Sequence, residues 1–191
     1  MATVSHAQYI GIKGGFTLSN LNFEGVNDNN MRPGYNVGAY INLPLGDVFA
    51  FQPEVNYTTK GATANYNVLF YNGDYSFNLN YFDIPLMGVL RLGEVAELHF
   101  GPYIGFLSNS SLSTDGDFGE GQEKLSRDSF KSMDYGLAGG LAFNFNALQI
   151  GARYHYGLQQ IADSDAAKLF IGDARHSYLQ VYGALRLGVI D

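Results

Sequence analysis

The chain has no cysteine, no tryptophan and no uninterrupted run of about 18 apolar residues. The first absence excludes a disulfide framework and a cysteine-bound zinc site. The last excludes a transmembrane helix. Charge is scarce as well. Only 15% of residues are Asp, Glu, Lys or Arg, where a soluble domain carries about a quarter. The balance is acidic, 18 Asp and Glu against 11 Lys and Arg. That argues against a nucleic-acid partner gripped through its phosphates.

What the chain does have is glycine, 24 residues of it, with 14 Tyr and 14 Phe. It also has alternation. Tyr135, Leu137, Leu141, Phe143 and Phe145 are apolar on every second residue, with Gly139 in the same row. Past Asn146-Ala147 the parity changes, and Leu148, Ile150, Ala152, Tyr154, Tyr156 and Leu158 take over. Period-2 alternation is a strand signal. A two-residue turn at Asn146-Ala147 brings Phe145 opposite Leu148 and makes the two runs one hairpin. The pairing then follows: Phe143 with Ile150, Leu141 with Ala152, Gly139 with Tyr154, Leu137 with Tyr156. On the other face Gly140 meets Arg153 and Ala138 meets His155.

The same pattern recurs along the chain. Strand-like runs cover residues 9–20, 34–43, 49–60, 81–92, 97–107 and 176–187. In residues 77–80 the parity is reversed, which predicts a β-bulge near Asn80-Tyr81. Pro53, Pro85 and Pro102 lie inside runs, where a missing N–H predicts bulges or local breaks. Polar, turn-rich stretches at residues 22–32, 61–76, 109–132 and 161–175 read as long loops. The remaining connections are short. This alternation of long and short connections between about eight strands, each about ten residues long, is that of an up-and-down transmembrane barrel. Its short turns and both termini would face the periplasm. Residues 9–188 form one domain in this reading.

The position of Ser5-His6-Ala7 before Gln8 resembles the end of a signal-peptide cleavage site, so residues 1–8 are expected to be a remnant tail.

Two orientations of such a barrel are conceivable. A soluble barrel would turn the apolar rows inward. The opposite rows, however, hold Gly11, Gly15, Gly38, Gly101, Gly105, Gly136, Gly140, Gly151 and Gly157. Small residues make room inside a narrow eight-stranded barrel, whose bore is filled by side chains. They give a soluble surface no packing advantage, and charge there is too sparse for one. The apolar rows therefore face lipid.

Several stretches together are similar to the PorT-like outer-membrane β-barrel family of Bacteroidetes-type bacteria. They are Gly11-Ile-Lys-Gly-Gly-Phe16, Gln52-Pro-Glu-Val-Asn-Tyr57, Tyr81-Phe-Asp-Ile-Pro-Leu86, Gly101-Pro-Tyr103, Asp134-Tyr-Gly-Leu137, Gly139-Gly-Leu141, Gln149-Ile-Gly-Ala-Arg-Tyr154 and Tyr156-Gly157. The chain departs from such barrels at its end, where Leu187-Gly-Val-Ile-Asp191 has no aromatic residue. The resemblance implies a Gram-negative outer-membrane location. Through the family's name-giving member it also implies a role in secretion.

The polar face collects Lys13, Glu54, Asp83, Arg91, His99, Asp134, Arg153, His155 and Arg186. Charges of both signs in a narrow bore must pair, because an isolated one is very costly. The expected centre is Glu54 with Arg91, Arg153 and Arg186, forming a plug rather than a gated ion path.

His155 and Asp134 suggest acyl-transfer chemistry, but no Gly-x-Ser-x-Gly elbow accompanies them. A satisfied interior histidine is the expected reading. His6 and His176 have no metal spacing. Asp115-Gly-Asp117-Phe-Gly119-Glu120 resembles a calcium loop, yet Gly119 stands at a ligand position and Ser126 where a terminal Glu belongs.

No catalytic, cofactor or metal residue is assigned on this basis, and no cofactor. The expected partners are outer-membrane lipids and an extracellular or secretion-system protein. A monomer is expected, acting through its outer loops rather than by catalysis. A small pore, or an enzyme acting on lipid or peptide, are the alternatives.

Overall fold

The computed structural model describes residues 8–22, 31–68, 71–116, 121–124, 132–160 and 175–190. They form nine strands: β1 (Gln8–Asn22), β2 (Arg32–Pro44), β3 (Phe49–Val68), β4 (Tyr71–Leu92), β5 (Ala96–Gly116), β6 (Gly121–Lys124), β7 (Met133–Phe145), β8 (Leu148–Gln160) and β9 (Arg175–Ile190). Neighbours in sequence pair antiparallel, and β1 pairs with β9 to close an eight-stranded barrel. The short β6 lies outside that count. It adds to β5 from Ser111↔Lys124 to Thr114↔Gly121.

Alternation sets the wall. Each barrel strand shows an apolar row outward, for example Ile12 and Phe16 in β1, Val37 in β2, Phe100 in β5, Leu137 in β7 and Val181 in β9, all exposed. The row between them points inward and is buried: Lys13 and Thr17, Gln52 and Glu54, Tyr103, Arg153 and His155. This is the reverse of a water-soluble protein, and it matches a bilayer as the outer solvent. The hairpin of β7 and β8 has the register that the sequence predicts, from Phe145↔Leu148 to Leu137↔Tyr156. Asn146 accepts the positive φ of the tight turn (53°), as Asn does more readily than most residues.

Two expectations need correction. First, the described parts of residues 61–76 and 109–132 are largely strand rather than loop. β3 and β4 stay paired out to Val68↔Tyr71, and β5 follows β4 as far as Gly73↔Gly116. Residues with turn propensity are held in strands here by cross-strand pairing, which overrides local preference. β3, β4 and β5 thus form a sheet running past the end of the β2–β3 ladder at Asn36↔Thr58.

Second, the ladder of β4 and β5 shifts register at Asn80/Tyr81, where a bulge is expected, but the extra residue belongs to β5. Asn80 pairs with Asn109 and Tyr81 with Leu107. β4 keeps its register with β3 through this point, so Leu79 stays in phase with Tyr81 and is buried inside the barrel.

At the prolines the expected irregularities take the form of local breaks rather than bulges. The register is the same on both sides of each, as between Tyr40↔Glu54 and Leu43↔Phe51 for Pro53. Each removes ladder pairs toward one neighbour only. Pro53 lacks a partner on β2, Pro85 on β3 and Pro102 on β4, while Pro53↔Leu86, Pro85↔Tyr103 and Pro102↔Leu137 persist on the other side. A missing N–H interrupts one edge of a strand and leaves the opposite edge intact.

Candidate functional site

The candidate site is the polar filling of the bore, which lies in three tiers. The middle tier centres on Glu54 of β3. Arg153 donates to it twice, Nη1 to Oε2 and Nη2 to Oε1, both at 3.0 Å. Lys13 Nζ donates to Oε2 at 2.5 Å. Gln52 and Asn56, two residues away on either side and therefore on the same face, donate to Oε1 and Oε2 at 2.9 and 3.1 Å.

Glycine makes the geometry possible. Lys13 reaches β3 across Gly38, where an added Cβ would strike Asn56 and the Val55 carbonyl. Paired, charge-assisted bonds of this kind are what allow ions to sit in a low-dielectric interior.

The tier toward the short turns centres on Glu97 of β5. It accepts from Asn144 (3.0 Å) and Gln149 (2.8 Å). His99 links it to the middle tier. Arg153 Nη2 lies 2.8 Å from His99 Nδ1, and His99 Nε2 lies 3.1 Å from Glu97. Arginine can only donate, so Nδ1 is the acceptor and Nε2 carries the proton given to Glu97. Arg186 stands 3.9 Å from Glu97, and Arg91 donates to Asn42 at 3.1 Å.

The tier toward the long connections centres on Lys60 of β3. Its Nζ donates to Asp83 (2.9 Å) and Asp134 (3.1 Å). The rings of Tyr81, Tyr103 and Tyr178 surround it with centroids 4.6, 5.0 and 4.8 Å away. His155 stacks on Tyr178 at 4.2 Å and 12° and meets Gln180 at 3.3 Å.

All nine polar-face residues expected from the sequence border this interior. The expected centre is nevertheless different. Among the described residues, Glu54 pairs with Arg153 and Lys13, while Arg91 and Arg186 lie a tier away against Asn42 and Glu97. Both arginines leave their strands next to the short turns, too far along the barrel axis for Glu54. His155 and Asp134 form no pair: His155 turns to Gln180, and Asp134 to Lys60 and Tyr103.

The structure adds Lys60 and Glu97 to the network expected from the sequence. The available signal was parity, because Lys60 continues the row Gln52, Glu54, Asn56, Thr58, and Glu97 precedes His99 by two. Among the described residues no group of three or more His, Cys, Asp or Glu could hold a metal ion. Of the calcium-like stretch, Asp117, Gly119 and Glu120 lie outside the described residues, as do His6 and the Ser5-His6-Ala7 stretch.

Residues 6–163 match the family model described as outer membrane protein beta-barrel domain. A comparison with curated proteins finds no match. Among solved structures, the attachment invasion locus protein Ail of Yersinia pestis is 17% identical over 95% of this chain and 99% of that one, with a TM-score of 0.50. Neisserial surface protein A is 11% identical over 94% and 97%, with a TM-score of 0.48. At these identities the likeness concerns the fold alone.

Proposed function

This chain belongs to the outer membrane protein beta-barrel domain family and is an integral barrel of that membrane; from that premise we propose that it is a plugged, non-enzymatic barrel acting through the surface it presents outside. The observation that carries the reading is the filled bore. Arg153, Lys60, Tyr81, Tyr103, Met87, His99, His155, Gln52, Gln149 and Gln180 are all less than 2% exposed, and eight strands leave little room beyond such a filling. A closed bore turns attention to the outer end. There β3, β4 and β5, with β6 added, continue as a sheet beyond the closed ring. We assign this overhang as the contact surface for an extracellular protein.

The finer parts of this reading are a monomer in contact with outer-membrane lipid, termini in the periplasm, a cleaved signal peptide, and kinship with PorT-like barrels. Kinship of that kind would make secretion the process served. The Ail structure was solved in complex with a heparin analogue as well. The net charge of −7 here makes a polyanionic ligand a poor electrostatic match.

Planar-bilayer recording on the purified barrel tests the plug. The expected outcome is no steady conductance at physiological salt. A stable open level in most insertions would replace this reading by a small pore.

A further inference from the structure

We propose that the chamber around Lys60 is a binding site for a primary ammonium group, occupied in this structure by the chain's own lysine. The site goes beyond the plugged-barrel reading, since it assigns a ligand class to one part of the interior.

The argument starts from how the walls are held. Two carboxylates and three aromatic rings around a cation are the elements of ammonium recognition. Here those elements do not depend on the lysine alone. Tyr178 donates to Asp83 Oδ2 at 3.1 Å, and Tyr103 donates to Asp134 Oδ2 at 3.3 Å. Each carboxylate thus braces one ring of the cage. His155 supports both rings from outside, stacked on Tyr178 and edge-on to Tyr103 at 5.3 Å.

The floor is glycine. Gly105 pairs with both Asp83 and Asp134 in neighbouring strands, and a Cβ there would strike the Asp83 carboxylate. Two carboxylates, each also bonded to a tyrosine of the cage, thus line the box around the single ammonium inside.

The lysine stands where β3 is paired on one side only, by Lys60↔Leu79 with β4. The β2–β3 ladder ends at Asn36↔Thr58, two residues before it. Beyond that point, on this side of β3, the structure shows side chains of β1 holding the backbone instead. Thr17 donates to the Thr59 carbonyl at 3.0 Å, and Ser19 bonds both the carbonyl and the N–H of Gly61, at 2.9 and 3.1 Å. Lys60 is in this sense a tethered ligand on a strand edge, inserted into a box built by β4, β5, β7 and β9.

The test is chemical rescue. Lys60→Ala deletes the atoms of n-propylammonium. The refolded variant in detergent micelles is titrated with n-propylammonium chloride, and its melting temperature is followed. A saturable rise is expected, absent with n-propanol and with sodium chloride at equal concentration. Adding Tyr178→Leu should weaken the apparent affinity about tenfold. Wild type should not respond, because Lys60 fills the site; a saturable wild-type response would overturn that occupancy. Folded Lys60→Ala with no saturable response, or with an equal response to n-propanol, would overturn the site. If Lys60→Ala does not refold alone, the readout becomes its refolding yield. The amine should restore that yield and n-propanol should not, and failure of the amine again overturns the proposal. None of these outcomes bears on whether the wild-type barrel conducts.

Discussion

Glu54 holds two cations that have no other carboxylate within reach among the described residues, Lys13 and Arg153. Neutralising it leaves both buried without a counter-charge. Glu54→Gln is expected to destabilise the barrel by about 3–5 kcal/mol, the usual consequence of breaking a buried pair from one side. Guanidinium unfolding of the refolded protein in micelles measures this; a change below about 1 kcal/mol would show that the middle tier carries little weight. Lys13→Met should be milder, because Glu54 keeps its bidentate partner and the methionine stem fills the space. The glycines make a second test at this scale. Gly139 faces outward, and a Cβ there meets only the His99 carbonyl at 3.9 Å, an ordinary contact. Its neighbour Gly140 faces inward, and a Cβ there would run into the Ala152 carbonyl and the Arg153 Cα. Gly139→Ala should stay within about 0.5 kcal/mol of wild type, whereas Gly140→Ala should cost about 1–3 kcal/mol.

At the scale of the strand, alternation made most of the fold legible. Every partner in the β7–β8 hairpin follows from the parity change at Asn146-Ala147. The inward row was legible too, since period 2 leaves no freedom about which residues share a face. Two things were not. The parity change near residue 80 signalled a bulge without saying which strand contains the extra residue, because a ladder irregularity is a property of the pair. The β3–β4 and β5 extensions were hidden because polar residues there are compatible with loop or strand, and only pairing decides. Likewise the sequence named the charges but not their tiers, since height along the barrel depends on strand stagger. The prolines give the prediction at this scale. Pro102→Val restores a donor toward β4 and places a branched side chain on the outer face. A gain of about 0.5–1.5 kcal/mol in unfolding free energy is expected, and a loss would mean that the proline's shape matters more than its missing bond.

For the whole molecule, the outer surface must tolerate only hydrocarbon at mid-height. Leu141, opposite Ala152 on the lipid face, is a direct probe. Leu141→Arg should cost about 2–4 kcal/mol in a bilayer, the penalty for an arginine near the midplane. If vesicle-reconstituted protein unfolds at the wild-type denaturant midpoint, the apolar band lies elsewhere.

The union of β1 with β9 carries one more consequence, and it concerns time. These strands stand at opposite ends of the sequence, yet they share a ladder from Gln8↔Ile190 to Asn22↔Arg175. Contacts of such wide sequence separation form slowly. Every other seam of the barrel can zip between neighbours as the chain arrives, whereas this one waits for the final strand. Until then β1 is a bare edge, ready to pair with any extended chain nearby. The barrel has to be guarded at its first strand for as long as its last is missing.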